Sequence, residues 1–183
     1  MRIIIRCLLI LVPLTLTACG SSHPSHSVKA GGYVGGSVPV ECAPFARALS
    51  GVRLSGAAAD WWWQAEGRYV RGKTPDVGGV LVLERSGRLP SGHVAVVSKV
   101  LSDRHILVTQ ANWVRHRITE DQPVIDVSSR GDWSAVRVWW PPSAQMGATD
   151  YAAHGFIRAV RSASHEQLAA ATPQAIRIAI AGR

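Results

Sequence analysis

One lone thiol, one well-placed imidazole and two nearby carboxamides carry the chemistry that this 183-residue chain can do. They are Cys42, His93, Gln110 and Asn112. A thiolate attacks a carbonyl, an imidazole moves the proton, and an amide holds the imidazole in one orientation. Cys42 opens the stretch Glu41-Cys42-Ala43-Pro44-Phe45-Ala46-Arg47-Ala48-Leu49-Ser50-Gly51. Cys42, Phe45, Ala46 and Leu49 recur at i, i+3, i+4 and i+7, which predicts one apolar helix face. Pro44 fits the first turn, where its missing N–H costs little, and Gly51 is the expected stop. A cysteine at that end feels the positive pole of the helix dipole, which favours thiolate. The neighbouring free N–H groups suit a developing oxyanion. A free cysteine on an apolar face also serves as inert core filler, so position alone does not decide.

The imidazole and the amides must be brought together by a hairpin. Residues 93–100 and 105–112 read as two strands joined by Leu101-Ser102-Asp103-Arg104. If those four residues are the loop, Val100 faces His105 and, carried down the ladder, His93 faces Asn112. Directly opposed side chains lie about 4.5–5.5 Å apart at Cβ, within reach for an amide to bond one ring nitrogen and aim the other at a thiol. A two-residue slip puts Gln110 opposite His93 on the same face.

Cysteine usage bears on the compartment. Of three cysteines, Cys7 lies in an apolar run behind Arg2 and Arg6 that has the form of an export signal. Cys19 ends Leu16-Thr17-Ala18-Cys19, which resembles a bacterial lipoprotein signal with cleavage before a lipidated cysteine. Gly20, rather than Asp, after it suggests the outer membrane of a Gram-negative cell. Cys42 is then the only thiol of the folded part, with no partner for an intramolecular disulfide. The formal charge of +8 falls to +6 once Arg2 and Arg6 leave with the signal. It comes with no Lys/Arg block and no nucleic-acid motif, so nucleic acid is not expected as a partner.

These signals divide the chain into a signal at 1–18, a flexible tether at 19–38, a folded domain at 39–142 and a tail at 143–183. A second helix is expected over 58–71. It carries Trp61-Trp62-Trp63, which point about 100° apart and so cannot all be buried on one face. Further strands are expected at 77–84, 124–127 and 135–140, with Pro141-Pro142 ending the sheet. Ser164 with Gln167, and Thr172 before Pro173, predict two short helices in the tail. His105 and His116 lack the spacing of metal ligands, and no metal or cofactor is expected. Asp76 reads as structural, and Trp113, beside Asn112, either shields the catalytic pair from water or only packs.

Several segments together resemble the CHAP family, the cysteine- and histidine-dependent amidohydrolases and peptidases related to NlpC/P60 proteins. They are Glu41-Cys42-Ala43-Pro44-Phe45-Ala46-Arg47, Pro75-Asp76-Val77-Gly78-Gly79-Val80, Ser91-Gly92-His93-Val94-Ala95, Val108-Thr109-Gln110-Ala111-Asn112-Trp113 and Asp132-Trp133-Ser134-Ala135-Val136. The resemblance implies an α+β, papain-like fold in which the cysteine-bearing helix packs on a small antiparallel sheet. It implies Cys42 as nucleophile, His93 as general base and then acid, and Asn112 as the group orienting the ring. Many relatives carry Glu where this chain has Gln110, and a neutral partner supports an imidazolium less than a carboxylate would. The implied activity is hydrolysis of an amide in peptidoglycan by a monomer held to the membrane through Cys19, on the periplasmic side of the outer membrane. Two alternatives are a non-catalytic wall-binding lipoprotein on the same fold, and a cysteine peptidase or transferase acting on protein.

Overall fold

The computed structural model describes residues 29–158 and 164–182. The signal, Cys19 and the first part of the tether lie outside the described residues. The elements are β1 (Tyr33–Ser37), α1 (Cys42–Ser50), a 3-10 turn (Ala58–Asp60) running into α2 (Trp61–Gln64), β2 (Val70–Gly72), β3 (Val80–Leu83), β4 (His93–Ser102), β5 (His105–Ala111), β6 (Arg117–Asp126), β7 (Ala135–Trp140), β8 (Gln145–Met146), β9 (Tyr151–Arg158) and α3 (His165–Ala181). The fold is mixed α and β with a sheet-rich core.

All the strand pairings are antiparallel, in the order β1-β6-β5-β4-β3-β9-β7-β8. Val124 to Asp126 of β6 also pair with Val136 to Val138 of β7, so the six central strands close into a barrel. Closure satisfies sheet edges that would otherwise be open. Alternation along the strands sorts the core into two halves. Leu81, Leu83, Ala95, Val97, Ile106, Val108 and Phe156 fill the barrel. Val80, Val82, Val94 and Val96 face outward, against Phe45, Ala46 and Leu49 of α1 and Leu168, Ala175 and Ile176 of α3.

Three expectations from the sequence are corrected here. The tether does not run to residue 38, because β1 pairs with β6. Nor does the domain end at 142: β9 lies between β3 and β7 and closes the barrel. Among the described residues the tail holds one helix, not two short ones. The Ser164–Gln167 capping box forms as expected, but Pro173 lies inside α3. There it forfeits the bond to the Ala169 carbonyl, while the Thr172 hydroxyl bonds back to Leu168 O at 3.0 Å. Burial of Leu168, Thr172, Ala175, Ile176 and Ala179 holds the helix through that defect.

The expected helix over 58–71 is shorter, a 3-10 turn followed by the single α-turn of α2, and ends at Gln64. Gly67, at φ +68°, follows α2, and the chain then enters β2. Trp61 is fully buried, Trp62 stacks on His154 and Trp63 is 61% exposed. The three indoles therefore diverge as the geometry requires.

Gly92 sits where β4 begins, at φ +71°. A Cβ there would lie 2.6 Å from both Leu83 O and the Ala59 Cβ. Gly92→Ala is expected to destabilise the fold by about 2–4 kcal/mol, from backbone strain and this collision together. A fall in the urea midpoint at constant slope measures it; an unchanged midpoint would show that the turn relaxes freely.

Candidate active site

Helix α1 forms as its spacing predicts, and Cys42 is its first residue. Gly51 ends it in the left-handed conformation at φ 74°, with its N–H on Arg47 O at 3.1 Å. The first amide to bond back within the helix is that of Phe45, to Glu41 O at 3.3 Å. Pro44 has no amide hydrogen, which leaves the N–H groups of Cys42 and Ala43 as the open donors of this end. Cys42 is half-buried and free. It lines a cavity of about 470 Å³ together with Glu41, Arg47 and Ser91.

His93 is the first residue of β4 and only 4% exposed. It continues the inward face of Ala95 and Val97, so its ring closes the barrel mouth beneath the start of α1. The β4–β5 register near the site is the one the sequence argument assumed, although the turn differs. Ser102 faces His105, and two register shifts bring Val97 opposite Val108 and Val96 opposite Thr109. Gln110 continues the inward face of β5 and is a diagonal neighbour of the histidine. Its Oε1 lies 2.9 Å from His93 Nε2.

This last contact corrects the assignment of Asn112. Strand β5 stops at Ala111, and Asn112 turns into the left-handed region at φ 59°. Asn tolerates that conformation, and its side chain can brace the turn that follows. Its Oδ1 accepts the His116 N–H at 2.9 Å, and its Nδ2 donates to Glu41 Oε2 at 2.7 Å. The carboxamide on the ring is therefore Gln110, two residues earlier, where the backbone is still extended.

Gln110 Oε1 is an acceptor only, so it selects the tautomer with hydrogen on Nε2 and leaves Nδ1 for the thiol. Cys42 and His93 lie close enough that each favours the charged form of the other. Burial alone pushes the thiol up. The His93 charge, its hydrogen bond and the Val94 N–H together outweigh burial, and Cys42 ends below the ordinary thiol range. Burial likewise pushes the imidazole down, but the Cys42 charge and hydrogen bond, then Gln110 and Glu41, leave His93 above its ordinary value. Both directions favour a thiolate–imidazolium pair. Glu41 opposes the thiolate and supports the imidazolium.

Trp113 packs against His93, with ring centroids 5.0 Å apart, and meets Tyr151 edge-on at 5.3 Å. Its indole N–H donates to Trp139 O at 3.1 Å, which fixes the ring beside the imidazole. Sequence reasoning gave no role to Glu41, whose signal was a carboxylate directly before the cysteine. Among the described residues, His105 lies at the far end of β5, His154 on Trp62 and His165 on Asp121 at 3.0 Å, while His116 reaches the site's margin only through its backbone N–H on Asn112.

A barrel-based α and β fold with a coupled cysteine–histidine pair at the head of a helix defines a candidate thiol-dependent acyl-transfer site. The family model of the CHAP domain matches residues 32–112, a span that holds α1, Cys42, His93, Gln110 and Asn112. The match supports assignment of this part of the chain to the CHAP family. No curated protein is similar enough to the chain to be matched.

The signs of the two shifts give a pH window. The thiolate persists as pH falls until the lowered thiol value is reached, and the imidazolium persists as pH rises to the raised imidazole value. Alkylation of Cys42 by iodoacetamide should therefore have its midpoint below that of an ordinary thiol, about 8.5. His93→Ala should move the midpoint upward, into or above that range. Equal midpoints in the two proteins would remove the coupling.

Proposed function

We propose that this protein hydrolyses an amide in peptidoglycan by acyl transfer through Cys42 and His93, on a papain-like fold. The observation that carries the reading is the chain Cys42–His93–Gln110 at the N-terminus of α1, within the span matched by the CHAP domain. The thiolate attacks the amide carbonyl carbon. The oxyanion that forms accepts from the N–H groups of Cys42 and Ala43. His93 gives its proton to the leaving nitrogen, and the acyl group stays on the sulfur as a thioester. Water then adds to the thioester carbon and yields a proton to His93, and the thiolate departs. Trp113 keeps bulk water from one side of the imidazole, which strengthens the charge pair.

Gln110 acts as the positioning residue, holding the ring by Nε2. The polar side chain on His93 is neutral, yet both shifts in the pair remain in the catalytic direction. That argues for chemistry over a purely wall-binding role. The reading extends to location: a lipid anchor on Cys19 at the periplasmic face of the outer membrane, within tether reach of the wall.

Cys42→Ala should lower release of soluble fragments from purified peptidoglycan by about 1,000-fold or more. Gln110→Ala should lower it by about 10- to 100-fold and narrow the pH window, with the far-UV circular dichroism of both variants unchanged. Release that survives Cys42→Ala at the wild-type rate would end this proposal.

A further inference from the structure

Three buried polar atoms on strands β5 and β6 have no hydrogen-bond partner among the described residues: Gln110 Nε2, Thr119 Oγ1 and Gln122 Oε1. None of the three side chains' residues is more than 1% exposed. They share one patch of the barrel's inner wall. Thr119 of β6 is opposite Gln110 of β5, and Gln122 is opposite Val108, which lies in the barrel core. In a regular strand, residues three apart point to opposite faces. A bulge turns both Thr119 and Gln122 inward, because Glu120 and Asp121 of β6 together oppose the single Thr109 of β5. Asp121 takes φ 49° in that bulge, and its carboxylate accepts from Ser98 Oγ at 2.7 Å and meets His165 Nε2 at 3.0 Å. Two other elements, β4 and α3, therefore pin the bulge in place.

The three atoms are complementary. Gln122 Nε2 donates to Gly31 O and to Glu120 O, both at 2.8 Å, which leaves Gln122 Oε1 as a spare acceptor. Gln110 Oε1 is taken by His93 Nε2 at 2.9 Å, which leaves Gln110 Nε2 as a spare donor. The Thr119 hydroxyl can donate and accept. Buried groups of this kind, two to four at a time, are what hold an internal water.

We propose that Thr119 and Gln122 hold a buried water that accepts the Gln110 Nε2 hydrogen, which makes Thr119 a positioning residue for the His93 ring. The proposal rests on the Cys42–His93 pair described above and adds a layer behind it. The water gives one hydrogen to Gln122 Oε1 and takes one from Gln110, with the Thr119 hydroxyl as its third contact. The carboxamide of Gln110 is then held at both ends, by the ring on one side and the water on the other. Held at one end only, the amide is free to rotate. Turned over, it sets its own N–H against the ring N–H whenever the imidazole is charged, and the charged ring loses its acceptor. No proton passes along this chain; it fixes an orientation.

The test compares wild type with Thr119→Val, which keeps the shape and removes the hydroxyl, and with Thr119→Ser, which restores it. The readout is the pH dependence of Cys42 alkylation by iodoacetamide, which needs no substrate. The ionisable groups that bear on the pair, Cys42, His93 and Glu41, are the same in all three proteins. Thr119→Val should raise the midpoint by about 0.5–1 pH unit, so that alkylation at a given pH below it slows about 3- to 10-fold. Thr119→Ser should return the midpoint close to wild type. In a Gln110→Ala background, Thr119→Val should have no further effect, since its action passes through that amide. A role in packing alone would change thermal stability and leave the midpoint in place. An unchanged midpoint in Thr119→Val, or a shift that persists in the Gln110→Ala background, would overturn the proposal. If Thr119→Val does not fold, a crystal structure of the wild-type protein decides. A water within about 2.7–3.2 Å of both Gln110 Nε2 and Thr119 Oγ1 supports the proposal, and a dry contact between the two side chains overturns it. Neither result touches the hydrolase reading, which stands or falls on peptidoglycan cleavage by Cys42→Ala.

Discussion

A charge buried at the mouth of a barrel must be paired where it stands, and His93 is that charge. Its ring is nearly inaccessible to solvent. Burial by itself would push it neutral, and the Cys42 thiolate reverses that. Removing one partner of such a pair costs about 3–5 kcal/mol, because the other is left buried and uncompensated. The sulfur must therefore be delivered to the ring with little freedom. Helix α1 does this, pressed on the outer face of β4 by Phe45, Ala46 and Leu49. The ring must also be stopped from turning, and Gln110 does this from the neighbouring strand.

Much of the chain outside the matched span serves those two demands. Helix α3 packs its buried face into the same apolar layer as α1 and covers its flank. Strand β9 closes the barrel between β3 and β7, and the barrel carries both His93 and Gln110. Burial of Ile176 and Ala179 lies beyond Pro173, so tertiary packing extends the helix past a residue that local propensity would make a breaker. Strand β9 and helix α3 are thus part of the scaffold of the site.

That explains what the sequence made legible and what it hid. The Cys42 helix was readable because spacing, first-turn proline and terminal glycine agreed at one place. Strands β4, β5 and β7 were readable as β-branched runs between turns. Strand β1, with two glycines, and β9, with alanines and Gly155, lack that enrichment, since their place is set by partners far along the chain. The histidine is legible, but spacing points to Asn112 as the orienting amide, where the structure has Gln110. The register it requires does form near the site, but a left-handed residue at position 112 takes that side chain off the strand face, and no pattern of spacing encodes that single dihedral angle.

The exchange of amides also shows how a neutral residue can serve beneath the ring. A thiolate and an imidazolium already sum to zero, so a buried carboxylate on Nε2 would leave a net negative charge in a nearly closed space. Gln110 avoids that charge, at the cost of an Nε2 that finds no partner among the described residues, a penalty of about 1–3 kcal/mol. The carboxylate near this site, Glu41, stands at the exposed rim instead, held by Asn112. From there its field raises both members of the pair. The imidazolium gains what the thiolate loses, and the window in which both are charged moves upward in pH instead of closing. Asn112, displaced from the ring, thereby still acts on the pair by fixing the charge that tunes it.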